Sequence, residues 1–218
     1  MIFLSLDEMG LPMLAVISAG LAPGLALLSY FYLREEMRSK PLFEVLRIFI
    51  AVEHVFPLRI LDAFFRSSLL EEFFKWFILY YTAYRFIDFQ KPYDGIIYGV
   101  AISLGYASAE NILYLMAYGF NMEYALLRAV LPVSSHAVFG VMMGFYFGKS
   151  KFTVEEKRNR LIARALFFPF LLHGLYDYIL IFENGTVYFI IPFMFFIWFL
   201  ALKKVKQINY SIQQTLDL

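Results

Sequence analysis

The chain has 218 residues, of which 61% are apolar and 17% charged, with a formal net charge of +1 at pH 7. Soluble domains average about 45–50% apolar and about 25% charged residues, so we expect lipid to be the main solvent. The thinly spread charge excludes a nucleic-acid-binding protein, and the lack of cysteine excludes disulfides and thiolate metal ligands. Because no polar stretch could build a separate globular unit, we expect one membrane domain over residues 1–218.

Seven apolar runs approach or exceed the roughly 20 residues that a helix needs to cross a bilayer. The first follows Asp7 and Glu8 rather than the basic residues of a signal peptide, so we expect it to be retained. The second contains six ionisable side chains and could be tilted, broken or interfacial. The runs predict an all-α, polytopic transmembrane bundle. They are Met9–Leu33, Leu42–Phe65, Ser67–Tyr84, Tyr93–Tyr118, Tyr124–Gly148, Leu161–Phe182 and Thr186–Leu202.

The charges between the runs predict the orientation, because Lys and Arg collect on the cytoplasmic side of a membrane. Thirteen Lys or Arg residues follow the first, third, fifth and seventh runs, and the opposite side has only Arg66. This predicts a multi-pass protein of the cell membrane with its N-terminus outside and its C-terminus in the cytoplasm. Within this arrangement Lys149–Arg160 is predicted to be a solvated cytoplasmic loop.

Small residues at four-residue spacing form stripes along three of the runs. Such stripes are typical of helices whose backbones approach closely in lipid. They predict a tightly packed bundle and by themselves indicate no function. The stripes contain Gly20 and Gly24; Gly95, Gly99, Ser103 and Ala107; and Gly140, Gly144 and Gly148.

Polar side chains that are costly inside a membrane occur in four of the predicted spans. Because successive spans cross the membrane in opposite directions, these residues are expected at similar depth in the outer half of the bilayer. The residue in the fifth span is the deepest. Any single one of these side chains could simply hydrogen-bond to a neighbouring helix, but their convergence predicts a polar pocket. They are Glu71, Glu72 and Lys75 in the third span, Glu110 and Asn111 in the fourth, His136 in the fifth, and His173 and Asp177 in the sixth.

Helical spacing refines this cluster. His173 and Asp177 are four residues apart and share a face, so the carboxylate could orient the imidazole or share a ligand with it. Glu71 and Glu72 both lie within reach of Lys75, but adjacent residues diverge by about 100° on a helix. We therefore expect one glutamate to face the pocket while the other pairs with the lysine or borders the pocket.

This set of side chains suits hydrolysis. A glutamate in a desolvated pocket is a usable base for water, and His173 and Asn111 are suited to protonating the leaving amine or stabilising the oxyanion. Alternatively, Glu71, His136 and His173 could hold a divalent metal such as zinc with a water at the open position. The His-Glu-x-x-His signature of zincins is absent. The residues alone leave both mechanisms open and make no cofactor certain.

Other functions could use the same residues. A transporter or proton pathway also places acids and histidines across helices, but such relays usually run through the whole membrane, whereas this cluster is confined to one half. A haem-binding module would need a second histidine at matching depth. A noncatalytic scaffold of the same fold is the third alternative.

The motifs around these residues resemble those of the PrsW proteases, and the likeness covers nearly the whole chain. This family is related to the CAAX prenyl proteases and bacteriocin-processing enzymes, whose first motif is Glu-Glu-x-x-x-Arg. Here Lys75 comes one residue sooner, and Trp76 stands in the arginine's place, which favours PrsW. The similar segments are Glu71-Glu72-Phe73-Phe74-Lys75, Glu110-Asn111, His136, His173-Gly174-Leu175-Tyr176-Asp177, Ser18 to Tyr32, Tyr93 to Gly99 and Arg128 to Val133.

The resemblance implies a bacterial intramembrane protease that makes the first cut in a single-span membrane anti-sigma factor. Further proteolysis would then release an extracytoplasmic-function sigma factor. It also implies that activity depends on Glu71, Glu72 and His173, with Glu71 as the expected base. A first cut is needed on the outer side of such a substrate, which agrees with the orientation predicted from the loop charges.

Overall fold

The computed structural model describes residues 62–87, 89–118, 121–181 and 186–216. Every regular element within these ranges is helical, which confirms the all-α prediction for them. The first helix, α1 (Leu69–Leu79), is extended at its two ends by the π-helical segments Asp62–Ser68 and Tyr80–Tyr84. The others are α2 (Pro92–Tyr118), α3 (Met122–Lys151), α4 (Glu155–Ile181) and α5 (Thr186–Leu216).

Four of these helices are long and apolar enough to cross a membrane, so the chain is a multi-pass membrane protein. The third predicted span, Ser67–Tyr84, is helical throughout. The first, Met9–Leu33, and all of the second before Asp62 lie outside the described residues. The four candidate spans correspond to the fourth to seventh predicted runs. They are Pro92–Met116, Met122–Lys151, Glu155–Ile181 and Tyr188–Asn209.

The helices continue beyond the apolar runs. The prediction of a loop over Lys149–Arg160 is wrong, because α3 continues to Lys151 and α4 begins at Glu155. Likewise α5 runs to Leu216, well past the predicted end at Leu202. Lys, Arg, Glu and Gln are good helix formers, so a helix can leave the membrane without ending. The apolar runs therefore marked the membrane and not the helix ends.

Local side-chain bonds fix where two of the helices begin. The N-terminus of α3 is capped by Asn121, whose Oδ1 accepts a hydrogen bond from the Tyr124 backbone N–H at 3.1 Å. Near the start of α2, Asp94 Oδ2 accepts from the backbone N–H groups of Gln90 and Lys91 at 2.7 and 3.1 Å. Pro92 occupies the first position of that helix, where a missing N–H costs nothing.

The two small-residue stripes of α2 and α3 pack against each other, as their spacing predicted. A Cβ added to Gly99 would lie 2.5 Å from the Gly140 carbonyl oxygen, and one added to Gly95 would lie 2.5 Å from the Gly144 carbonyl oxygen. In the same register, a Cβ on Gly140 would meet Ser103 Oγ at 2.8 Å. The backbones are therefore in direct contact, which gives the bundle a rigid centre.

The helix α1 is held against α4. Trp76 Nε1 donates a hydrogen bond to the Ile162 carbonyl oxygen at 3.1 Å. At the other end of the contact, Gly174 lies so close to the Phe64 ring that an added Cβ would be 2.5 Å from its Cε1 atom. These contacts bring α1 beside His173, the neighbour of Gly174.

We expect Gly99→Ala and Gly144→Ala to destabilise the protein, because each added methyl group would meet backbone that has no room to move aside. Overpacking of this kind costs about 1–3 kcal/mol. The measurement is the thermal unfolding temperature in detergent, with Ala129→Val on the exposed face of α3 as the control. Glycine variants as stable as the control would contradict the observed helix contact.

Candidate active site

Four helices contribute to one polar cluster near the centre of the bundle. The structure brings together Glu72 and Lys75 on α1, Glu110 on α2, His136 on α3 and His173 on α4 through a continuous series of hydrogen bonds. The rings of His136 and His173 are almost perpendicular, with centroids 5.1 Å apart. The predicted convergence of these helices is therefore present.

Glu72 is the glutamate that pairs with the lysine. Its side chain is 0% exposed, and its Oε1 atom lies 2.6 Å from Lys75 Nζ and 2.8 Å from His173 Nδ1. The carboxylate accepts from both groups, so His173 carries a hydrogen on Nδ1. Its other nitrogen, Nε2, lies 3.6 Å from Asp177 Oδ2, which is beyond hydrogen-bond range. In the neutral ring Nε2 is thus left with its lone pair.

Lys75 and Glu110 together hold the second histidine in one tautomer. Its Nζ atom lies 2.7 Å from His136 Nδ1, and a charged lysine can only donate, so Nδ1 is the acceptor. The hydrogen of the neutral ring is then on Nε2, which donates to Glu110 Oε2 at 2.9 Å. The lysine is 0% exposed and also lies 4.6 Å from the centre of the Tyr106 ring. In their neutral forms, the two histidines are held in opposite tautomers.

Glu71 has no polar contact as close as those of Glu72. Its Oε2 atom lies 3.8 Å from Lys75 Nζ, too far for a hydrogen bond. That oxygen is buried and has no hydrogen-bond partner among the described residues. The sequence expectation that one glutamate pairs and the other faces the pocket is consistent with Glu72 as the paired residue and Glu71 as the free one.

Arg128 joins the cluster although it was not among the predicted site residues. Its Nη2 atom donates to Glu110 Oε1 and its Nε atom to Asn111 Oδ1, both at 2.9 Å. Asn111 therefore contacts the arginine rather than one of the histidines. The signal in the sequence was a cation five residues inside a predicted span, which is as costly there as the acids that were noticed.

The donors fit a divalent metal in type and spacing. Glu71, His136 and His173 each offer one ligand atom, and these atoms lie within 4.8 Å of one another. Glu72, on His173 Nδ1, occupies the place of the carboxylate that usually supports a metal-binding histidine. His136 would give up one of its two hydrogen bonds to bind the ion. The fit therefore rests on the unpaired Glu71 oxygen and the free nitrogen of His173.

A bundle of membrane-spanning helices that encloses carboxylates and histidines has the fold and the side chains of a membrane-embedded hydrolase. The sequence model described as "PrsW family intramembrane metalloprotease" matches residues 14–202. This chain belongs to the PrsW protease family, and it is a peptidase.

Similar proteins support this assignment over most of their length. The chain is 49% identical over 211 residues to "Protease PrsW" of Geobacillus kaustophilus, covering 89% of this chain and 92% of that protein. It is 44% identical over 211 residues to "Protease PrsW" of Bacillus subtilis, covering 89% and 96%. With "Protease PrsW" of Halalkalibacterium halodurans it shares 46% identity over 215 residues, covering 90% and 98%. No solved structure matches the chain.

We expect Lys75→Met to lower the stability of the protein strongly, because Glu72 would be left buried without its cation. Removing one partner of a buried ion pair costs about 3–5 kcal/mol. The thermal unfolding temperature in detergent measures this loss.

The double variant Lys75→Met/Glu72→Gln is the matched control, because it removes both charges. Its unfolding temperature should lie above that of the single lysine variant. A double variant that loses as much as the two single variants together would show that the two charges do not stabilise each other.

Proposed function

We propose that residues 1–218 form one membrane-embedded protease domain in which Glu71 is the general base. The observation that carries this proposal is the buried Oε2 atom of Glu71, which has no hydrogen-bond partner among the described residues. The neighbouring Glu72 is already occupied by Lys75 and His173. Glu72 has an unpaired oxygen as well, but hydrogen bonds from Lys75 and His173 stabilise its charge, so Glu71 is the better suited of the two to accept a proton from water.

In the proposed reaction Glu71 accepts a proton from the water that attacks the peptide carbonyl. His173 lies between the carboxylates of Glu72 and Asp177, so it can carry a proton and give it to the departing amine. The proton on Glu71 then passes to His173, which restores the starting state of both groups. Glu110, His136 and Lys75 hold the surrounding groups in place.

A divalent ion such as zinc would be held by Glu71, His136 and His173. When bound, such an ion supplies an activated water and polarises the peptide carbonyl. The roles of Glu72 on His173 and of Glu110 on His136 as orienting carboxylates would be the same with or without it.

We propose that the substrate is a single-span membrane anti-sigma factor and that this protein makes the first cut. Further proteolysis would then release an extracytoplasmic-function sigma factor. The family to which the chain belongs and the motifs around Glu71 and His173 support this substrate class. The agreement between a first cut outside and the predicted orientation supports it independently.

We further propose seven spans, with the N-terminus outside and the site in the outer half of the membrane. Glu110 and His173 each lie eight residues before the end of their helices, at Tyr118 and Ile181, which is about 12 Å at helical rise. The opposite ends of the helices carry the basic residues, among them Lys149 and Lys151 in the last turn of α3. Basic residues usually face the cytoplasm, which supports a site nearer the outer surface.

We expect Glu71→Gln to lower the cleavage rate by about 10²–10⁴-fold, the usual contribution of a general base. Its unfolding temperature should stay close to that of the unmodified protein, because the ion pair of Glu71 with Lys75 is long, at 3.8 Å, and Lys75 keeps its closer partner Glu72. The assay uses purified protein in lipid vesicles with the single-span anti-sigma factors of the host as substrates. Cleavage at an unchanged rate would rule out Glu71 as the base.

Glu123→Gln is the matched control, since this glutamate is exposed in the first turn of α3 and lies outside the cluster. Glu72→Gln should differ from Glu71→Gln by losing stability as well as activity, because it removes the partner of buried Lys75. Chelation followed by addition of zinc, in the same assay, distinguishes the two ways of activating water. If a metal is needed, chelation stops cleavage and zinc restores it; if Glu71 acts without a metal, chelation has no effect.

We expect the cut to lie outside the membrane or within the outer part of the substrate's transmembrane segment. Mass spectrometry of both fragments identifies the cleaved bond. A tag on each end of the substrate confirms its orientation in the same vesicles. A cut in the cytoplasmic juxtamembrane segment would contradict the proposed orientation or the proposed position of the site.

A further inference from the structure

Arg128 is fixed by three contacts to residues of α2. Its guanidinium donates to Glu110 Oε1 and to Asn111 Oδ1, each at 2.9 Å, and its Cζ atom lies 3.6 Å from the centre of the Tyr114 ring. Only 12% of the side chain is exposed. The planar fork of an arginine suits this arrangement, because it can donate to two acceptors in one plane while its face rests on an aromatic ring.

The carboxylate of Glu110 links this arginine to the active site. One oxygen, Oε1, accepts from Arg128, and the other, Oε2, accepts from His136 Nε2 at 2.9 Å. A carboxylate bound at only one oxygen can rotate about its last carbon–carbon bond. With both oxygens engaged it cannot, so the arginine determines which way Oε2 points.

The position of Glu110 determines in turn how His136 is held. With Glu110 accepting at Nε2, the Nδ1 atom is left to accept from Lys75 at 2.7 Å. Without a fixed acceptor at Nε2 the ring could turn or change tautomer, and Lys75 would lose its partner. The chain of contacts therefore runs from Arg128 through Glu110 to His136 and then to the lysine.

We propose that Arg128 is a positioning residue of the active site, which acts through Glu110 to hold His136 in one orientation and one tautomer. It does not touch the reacting atoms, and its effect is on the rate of the chemical step rather than on substrate binding. This inference rests on the proposed function, in which His136 and Glu71 belong to the same site.

The test compares Arg128→Gln, Glu110→Gln and the double variant in the vesicle cleavage assay. Arg128→Gln should lower kcat by about 10–100-fold, the usual effect of removing a group that supports a catalytic residue, and leave KM unchanged. Because the arginine acts through Glu110, the double variant should be no slower than Glu110→Gln alone. Arg128→Lys should lie between Arg128→Gln and the unmodified protein, since lysine keeps the charge but loses the fork.

A second measurement does not depend on activity. In protein labelled with ¹⁵N-histidine, the His136 signals, assigned with His136→Gln, should show a hydrogen on Nε2. That signature should change in Arg128→Gln and be largely restored in Arg128→Lys. If Glu110→Gln is too slow to assay, this measurement decides. Arg160→Gln, an exposed arginine of α4, is the control for loss of charge alone.

Three results would overturn the proposal: a change in KM alone, losses that multiply in the double variant, or an unchanged His136 signature in Arg128→Gln. A failure of the proposed function looks different, because Glu71→Gln would then cleave normally whatever Arg128 does. An Arg128→Gln variant that only unfolds at lower temperature, with normal kcat and an unchanged His136 signature, would reduce the arginine to a structural role.

Discussion

The buried ammonium group of Lys75 is the constraint on which the arrangement of the site depends. A charge with no exposure to water is tolerated only when other groups replace its hydration. Here Glu72 and His136 do so at 2.6 and 2.7 Å, and the Tyr106 ring covers a further side. These partners lie on α1, α3 and α2, and Glu72 continues to His173 on α4. One cation thus links groups from four helices and, together with Glu110 on the opposite ring nitrogen, holds His136 with Nδ1 as the acceptor.

The contact between α2 and α3 allows the side chains of the cluster to meet. The glycine stripe pairs Gly95 with Gly144 and Gly99 with Gly140 in an antiparallel register. Continued toward the outer ends of both helices, the same register brings Asn111 opposite Arg128, which donates to Asn111 and to the adjacent Glu110. Glu110 also accepts from His136, which lies about two turns away from Arg128 along α3. The close contact of the two backbones lets these side chains bond directly between α2 and α3, so the packing stripe that has no chemistry of its own positions the residues that do.

The sequence predicted much of this and failed at identifiable points. Apolar length predicted helices in the right places over the described residues, and the cost of intramembrane charge selected seven residues that meet in the structure. They are Glu71, Glu72, Lys75, Glu110, His136, His173 and Asp177. The pairing of Lys75 with Glu72 rather than Glu71 could not be predicted, because both spacings reach the lysine and only the rotation of α1 against its neighbours decides. Arg128 was missed because arginines entered the prediction only through the topology of the loops, and this one lies inside a predicted span.

The balance of charge in the cluster links the two proposed properties of the site, the activation of water and the binding of a divalent cation. Four carboxylates face two fixed cations, so with neutral histidines the formal charge is minus two. The groups are Glu71, Glu72, Glu110 and Asp177 against Lys75 and Arg128. Such an excess is costly away from water, and it is relieved by two protons or by one divalent cation.

Two of the carboxylates are already held by the fixed cations, Glu72 by Lys75 and Glu110 by Arg128. The excess therefore falls on Glu71 and Asp177, which both lie near His173. In the proposed reaction, a positive charge that compensates them would sit where water is activated, so the same place would suit the base, the proton carrier and a divalent ion.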